Sequence, residues 1–393
     1  MRRRTFLAQC SQAILGSCIL PTAIRAQDIQ RAAESKSVIG SGDLQADLDK
    51  LIPKLMEEFV VPGLSIALIQ DGRLLWRRGF GVRDSGSRQP VDNDTVFEAA
   101  SVSKTVFAYA VMKLCEKAVI DLDAPLTKYA PKPFLEGDPR LDLITARHAL
   151  SHTTGFQDFR SRREPLKIHF PPGTKFLYSG EGYYYLQSVM TQLTGRVNPK
   201  ECSRYEAGLE VCATDIDPYL KRNLLTPFGM NSSGYVWNDT FEKHAAQPHN
   251  VEGKSSPKKK PTATDAARYA SCGGLHTTPT DYARFLMEVV DPKESDAFRL
   301  GQKSLQEMLR PQVKLDDGEK IDGANSWALG WAIQQRKTGN VIVHSGGQAG
   351  FRSLAMASVE RKSGFIVLTN GDNGGKVFYH PAFEALMNRL LAS

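Results

Sequence analysis

Beyond its first 26 residues this 393-residue chain has no apolar run long enough to cross a membrane, which takes about 20 predominantly apolar residues. It has no internal repeat, which excludes solenoids and propellers. G-x-S-x-G is absent, and with it the nucleophile elbow of the α/β-hydrolases. Neither G-x-G-x-x-G nor a phosphate loop occurs, so the common nucleotide cradles are excluded. His148 and His152 stand at the i, i+4 spacing of a helical zinc pair. No glutamate follows His148 and no third ligand lies nearby, so no metal and no cofactor is expected. The basic run Pro257-Lys258-Lys259-Lys260-Pro261 has no interleaved aromatics and reads as a solvated loop, not a nucleic-acid surface.

Cysteine is scarce, at 6 residues, and 2 of these fall within the first 26. That leading stretch, residues 1–26, reads as a signal peptide. Arg3-Arg4-Thr5-Phe6-Leu7 opens a modestly apolar segment broken by Gln9 and Gln12, and Ile24-Arg25-Ala26 offers a small-residue cleavage site. Paired arginines with weak hydrophobicity point to twin-arginine export and a periplasmic or secreted product. Lipidation at Cys18, after Leu15-Gly16-Ser17, is the second option. The segment holds four arginines and no acid, so the formal net charge of +7 falls to +3 in the mature chain. The high pI is partly a property of the signal.

A polar lead over 27–43 precedes the folded part, 44–391. Leu44 to Phe59 has the periodicity of an amphipathic helix. Two strand-like runs, Leu64 to Ile69 and Leu74 to Trp76, flank Asp71-Gly72, a strong hairpin signal. From about Asp121 to Thr277 short helical patterns alternate with Pro, Gly and aromatic turns. Thr278-Pro279-Thr280-Asp281 then starts a helix running to Val290. Strand character returns over Ala328 to Gln334, Val341 to Ser345, Phe351 to Val359 and Phe365 to Thr369, and Pro381 to Leu391 closes as a helix. The pattern predicts an α/β protein of the α+β type. One antiparallel sheet is built from both chain ends (44–100 and 325–391), with a mostly helical region, 101–324, inserted between them.

Chemistry concentrates at Ser101-Val102-Ser103-Lys104. Between Glu98 and Lys113 the only charged residue is Lys104, and its neighbours are apolar on nearly every face. Burial there lowers an amine's pKa, and a neutral amine beside a hydroxyl is a base beside a nucleophile. S-x-x-K occurs twice more, at Ser255–Lys258 and Ser256–Lys259, in the Pro/Lys-rich loop. The competing reading of Ser101 is a helix cap, with Lys104 reaching to solvent. A second cluster runs from Pro171 to Gly180, with Tyr178 and Ser179 just before a helix-like stretch over Gly182 to Leu193. A third is Val343-His344-Ser345-Gly346-Gly347, at a strand end.

With these clusters the chain resembles the serine β-lactamase and penicillin-binding superfamily, in particular the branch of class C β-lactamases, D-alanyl-D-alanine peptidases and family VIII esterases. Gly79 to Asp84, Leu150-Ser151-His152-Thr153-Thr154-Gly155-Phe156, Gly273-Gly274-Leu275 and His344 to Phe351 fall in that family's order over roughly Leu44 to Leu391. The resemblance implies Ser101 as nucleophile, Lys104 as the adjacent amine and Tyr178 as its partner in proton transfer. His344-Ser345-Gly346 takes the place of the K-T-G strand. The backbone N–H groups of Ser101 and Gly347 would form the oxyanion hole. Tyr183, Tyr184 and Tyr185 fall within the helix and are assigned to packing.

Two departures bear on substrate. The Y-x-N pattern is Tyr178-Ser179-Gly180 here, so the amide that holds an acylamino side chain is missing. A wider, less polar opening is expected beside Tyr178, and Gly180→Asn should narrow the gap in turnover between esters and β-lactams or peptides. Histidine at 344 removes a permanent charge. Both favour an ester over a β-lactam or peptide, so the expected function is an exported serine hydrolase acting on a small ester or amide. A β-lactamase or D-Ala-D-Ala peptidase, an acyltransferase and a non-catalytic binding ectodomain are the alternatives. Cys202 and Cys212, isolated in a polar segment of an exported chain, are expected to form a disulfide, whereas Cys115 and Cys272 read as buried free thiols.

Overall fold

A computed structural model describes residues 44–130, 133–161, 163–194, 203–204, 210–211, 213–256 and 270–392. The chain enters through α1 (Leu44–Phe59), whose Leu48, Ile52, Leu55 and Met56 recur at helical spacing and are buried. Strands β1 (Gly63–Gln70) and β2 (Arg73–Gly81) form the expected hairpin. Asp71 and Gly72 both have positive φ, at 50° and 68°, the signature of the tight turn that an Asp-Gly pair favours. After β3 (Phe97–Glu98) and one 3-10 turn, Ala100–Val102, comes α2 (Ser103–Glu116).

The helical region carries α3 (Ala146–Leu150), α4 (Gly180–Thr194), the short pair β4 (Ser203–Arg204) and β5 (Glu210–Val211), α5 (Ala213–Leu220) and α6 (Asp239–His244). It ends in β6 (His276–Thr277), which pairs with β3. Helix α7 (Pro279–Val290) begins as its sequence suggests: Thr278 Oγ1 accepts from the Asp281 N–H at 3.1 Å, with Pro279 in the first turn. Beyond α8 (Gln302–Leu309) the sheet resumes with β7 (Val313–Lys314), β8 (Ser326–Trp327), β9 (Ala332–Arg336), β10 (Gly339–Gln348), β11 (Phe351–Ser358) and β12 (Ser363–Thr369). Helices α9 (Gly374–Phe378) and α10 (Pro381–Ala392) close the chain.

Eight strands form one antiparallel sheet in the order β2-β1-β12-β11-β10-β9-β8-β7. The pairing of β1 with β12, from Leu64 opposite Thr369 to Ile69 opposite Gly364, joins the two ends of the chain. Both faces are covered, which is why β1 is apolar at Leu64 and from Ile66 through Ile69 without alternation. Leu64, Ile66 and Leu68 face one core with α1 and α10, while Ala67 and Ile69 face another with α2 and α7. The strand expected from Ala328 starts four residues later. Gly330 sits at φ 87° in a tight turn in which the Ala328 N–H donates to the Trp331 carbonyl at 2.7 Å. Ser326 and Trp327 are thereby cut off as a separate strand.

Candidate active site

Ser101 occupies the 3-10 turn at the entrance to α2, where the helical region meets the sheet. The turn is pinned from several sides. The Ala99 N–H donates to the Leu275 carbonyl at 2.8 Å, and Ser103 Oγ donates to the Ala100 carbonyl at 2.6 Å while accepting from the Leu275 N–H. From β11, Ser353 Oγ donates to the Ala99 carbonyl at 2.8 Å. Ala100 is held at φ 49°, in the left-handed region, a strain that persists only where its surroundings impose it. Gly346 lies against this turn so closely that a Cβ there would be 2.8 Å from the Ser101 nitrogen and 2.4 Å from Ser353 Oγ.

Lys104 is 1% exposed, so it does not reach to solvent. Its Nζ donates to Ser101 Oγ at 3.1 Å and to the Cys272 carbonyl at 2.7 Å. Burial pulls its pKa below the usual lysine value, opposed by the Cys272 thiol and the Asp158 carboxylate. Ser101 itself is only partly buried. The nucleophile therefore faces outward and the amine inward.

Tyr178 is also buried, and the Lys104 Nζ stands 5.0 Å from the centre of its ring. His152 sets its position. The His152 ring stacks on Tyr178 at 4.2 Å, its Nδ1 accepts from the Ser179 N–H at 3.0 Å, and its carbonyl accepts from Leu177. Burial drives the Tyr178 phenol well above its ordinary pKa, and Asp158 adds to this, while the neighbouring Ser101 hydroxyl acts the other way. His344, on β10, donates from Nδ1 to the Ser345 carbonyl at 2.7 Å. Burial and the Lys104 charge push its pKa down to about 3, so the imidazole is neutral at physiological pH. Trp327 walls the group, its ring 4.9 Å from His152 and 5.5 Å from His344. Gly347 comes later on β10 opposite Arg352, beyond Val343, where pairing with β9 stops.

Ser101, Lys104, Tyr178, His344 and Gly346 thus come together as the motifs suggest, from segments far apart in the chain. Tyr183, Tyr184 and Tyr185 are buried in α4, with Tyr183 forming a second wall 5.6 Å from the Lys104 Nζ. Among the described residues His148 and His152 belong to no cluster of metal-ligating side chains, and the His148 Nδ1 accepts from the Thr145 N–H at the start of α3. Cys272 is buried and Cys115 partly so, both as free thiols, whereas Cys202 and Cys212 lie outside the described residues.

Position 180 corrects the sequence reading. Gly180 is buried, and a Cβ there would lie 2.4 Å from the Phe159 ring and 3.0 Å from the Asp158 carbonyl. The space left by the absent side chain is filled by residues 158 and 159, so the wider opening expected beside Tyr178 is not there. Asp158 also accepts the Gly180 N–H through Oδ1 at 2.9 Å. No motif signals this residue, because its contacts lie about 20 positions along the chain.

The large antiparallel sheet with its helical insertion is the β-lactamase and transpeptidase fold. The chain belongs to the beta-lactamase family, whose family model matches residues 48–387. That family is one of penicillin-binding and β-lactamase-type serine hydrolases. Protein flp of Staphylococcus aureus strain N315 is 21% identical over 351 residues, covering 84% of this chain but only 64% of its own length. This chain therefore spans a little under two thirds of that relative. Penicillin-binding protein 4* of Bacillus subtilis strain 168 is 23% identical over 359 residues, covering 82% of this chain and 71% of its own. An octameric penicillin-binding protein homologue from Pyrococcus abyssi superposes with a TM-score of 0.70 at 23% identity, over 88% of this chain and 77% of the other. The D-alanine carboxypeptidase AmpC of Burkholderia cenocepacia superposes with 0.68 at 18% identity, over 89% and 100%. At these identities the superpositions speak to fold.

Proposed function

We propose that this protein is an exported serine hydrolase that forms an acyl-enzyme on Ser101 and acts on small esters. The observation that carries the reading is the contact of 3.1 Å between the buried Lys104 amine and the partly exposed Ser101 hydroxyl. Ser101 Oγ attacks the carbonyl carbon and its proton passes to the Lys104 Nζ. Lys104 suits the base role better than Tyr178, since burial favours the neutral amine but disfavours the phenolate. Tyr178 relays the proton to the leaving alcohol. The oxyanion is held by the N–H groups of Ser101 and Gly347, fixed donors at a helix start and a strand. Water then repeats the sequence and releases the acid.

The ester preference rests on position 180. The side-chain amide of the family's Y-x-N pattern is absent, and Phe159 leaves no room for one. An ester needs no such clamp, and the loss of one hydrogen bond of about 0.5–1.5 kcal/mol biases against amides without forbidding them. His344, neutral where the family carries a lysine, offers no fixed charge to a substrate carboxylate. Export rests on the arginine-led segment over residues 1–26. The test is a panel of p-nitrophenyl esters, nitrocefin and D-Ala-D-Ala peptides against the mature protein. A fluorophosphonate should label wild type but not Ser101→Ala. Faster turnover of nitrocefin or a cell-wall peptide than of any ester would replace this reading with the lactamase or peptidase one.

A further inference from the structure

Among the described residues, Asp158 is the one carboxylate that acts on both Lys104 and Tyr178. It reaches them from a loop, not from any of the three motif segments. Its Oδ1 accepts the Gly180 N–H at 2.9 Å and its own carbonyl accepts the Glu181 N–H at 2.9 Å. It thus caps the N-terminus of α4 from outside, two residues after Tyr178. Its Oδ2 is shut off from solvent and has no hydrogen-bond partner among the described residues. A cap needs only one oxygen, and a buried carboxylate oxygen left unpaired is costly. The opposite charge that acts on it is the buried Lys104 amine.

We propose that Asp158 is a positioning residue of the site, whose carboxylate ties the start of α4, and with it Tyr178, to the charge state of the Lys104 amine. The inference rests on the acyl-enzyme reading above. Because Oδ2 is covered, a substrate cannot touch it, and its effect must pass through Lys104. When Lys104 takes the Ser101 proton it becomes an ammonium in a dry site. His152 and His344 are both neutral there and give it no countercharge. Asp158 supplies one. On its other side Asp158 faces Glu181, which is spoken for by Arg160 at 2.9 Å. Burial, with Glu181 adding to it, raises the Asp158 carboxyl to about 6. It is therefore charged at neutral pH and uncharged in mild acid.

Asp158→Asn separates the two roles, since an amide oxygen still accepts the Gly180 N–H but carries no charge. The readout is the rate of fluorophosphonate labelling of Ser101 against pH. Removing the carboxylate lowers the Lys104 pKa, so the acidic limb of that profile should move to lower pH by about one unit, with a smaller plateau rate. Asp158→Glu should keep the wild-type limb. A uniform drop with the limb in place would reduce Asp158 to a helix cap and overturn the proposal. Should the asparagine variant not fold, wild-type protein with 13C-labelled lysine side chains decides. The Lys104 signal should show an inflection near pH 6 from Asp158, and its absence would overturn the coupling. Absence of labelling at Ser101 in wild type would instead overturn the nucleophile assignment, while the lysine titration still decides the coupling.

Discussion

At the scale of single residues, the site works through burial. Lys104 is useful because its burial disfavours an ammonium, and Tyr178 because the same burial holds its proton on. Lys104→Ala and Tyr178→Phe should each lower kcat by about 10²–10⁴. The losses should not multiply in the double variant, because both residues serve one proton path. Multiplying losses, measured on any good ester, would count against a shared path. The imidazoles make a separate prediction. A histidine whose pKa lies near 3 is already neutral throughout an ordinary assay, so it cannot create a limb between pH 5 and 8. His344→Gln should therefore change the plateau of kcat/KM but leave the acidic limb in place, and a lost limb would mean that His344 titrates in the working range.

At the scale of elements, the regular pieces are legible in the sequence and their junctions are not. The hairpin at Asp71-Gly72 and the start of α7 arise from local chemistry, which a sequence displays directly. The Ser101–Lys104 pair is legible for the same reason, being one helical turn inside an apolar run. Strand β8 is not, because only the φ of Gly330 separates Trp327 from the start of β9. The loop through Asp158 and Phe159 is equally silent, because its meaning lies in packing against residue 180. That packing is testable: Gly180→Ala should cost about 1–3 kcal/mol through overpacking, read in urea unfolding. Phe159→Ala in the same chain should recover part of it. No loss in the single variant would show that Phe159 moves aside freely. In the inserted region, Ser203 pairs with Val211 and Arg204 with Glu210. Cys202 and Cys212, the pair expected to bond, lie outside the described residues. A disulfide between them should appear in non-reducing peptide maps of exported protein, and two free thiols there would refute it.

At the scale of the molecule, the sheet makes the two ends of the chain one cooperative unit. Ile66 on β1 lies opposite Val367 on β12 with no exposure. Ile66→Ala should cost about 2–5 kcal/mol. The lowered midpoint should be the same by tryptophan fluorescence and by far-ultraviolet circular dichroism, since neither the N-terminal hairpin nor the C-terminal strands can keep the sheet alone. Two separated transitions would show that the ends fold independently.

The β1–β12 pairing also dictates a timetable. A ribosome releases β1 early and β12 almost last, about 290 residues later, and at about 5–20 residues per second the delay is roughly 15–60 s. Throughout that time a largely apolar strand has only β2 on one side and nothing on the other. An unpartnered apolar strand is a template for the wrong neighbour, in another copy of the chain or in a passing polypeptide. The nascent chain therefore needs an escort, and its dependence on one should end abruptly when the last strand emerges. If the proposed export of a folded chain holds, that moment also fixes the earliest time at which it can leave.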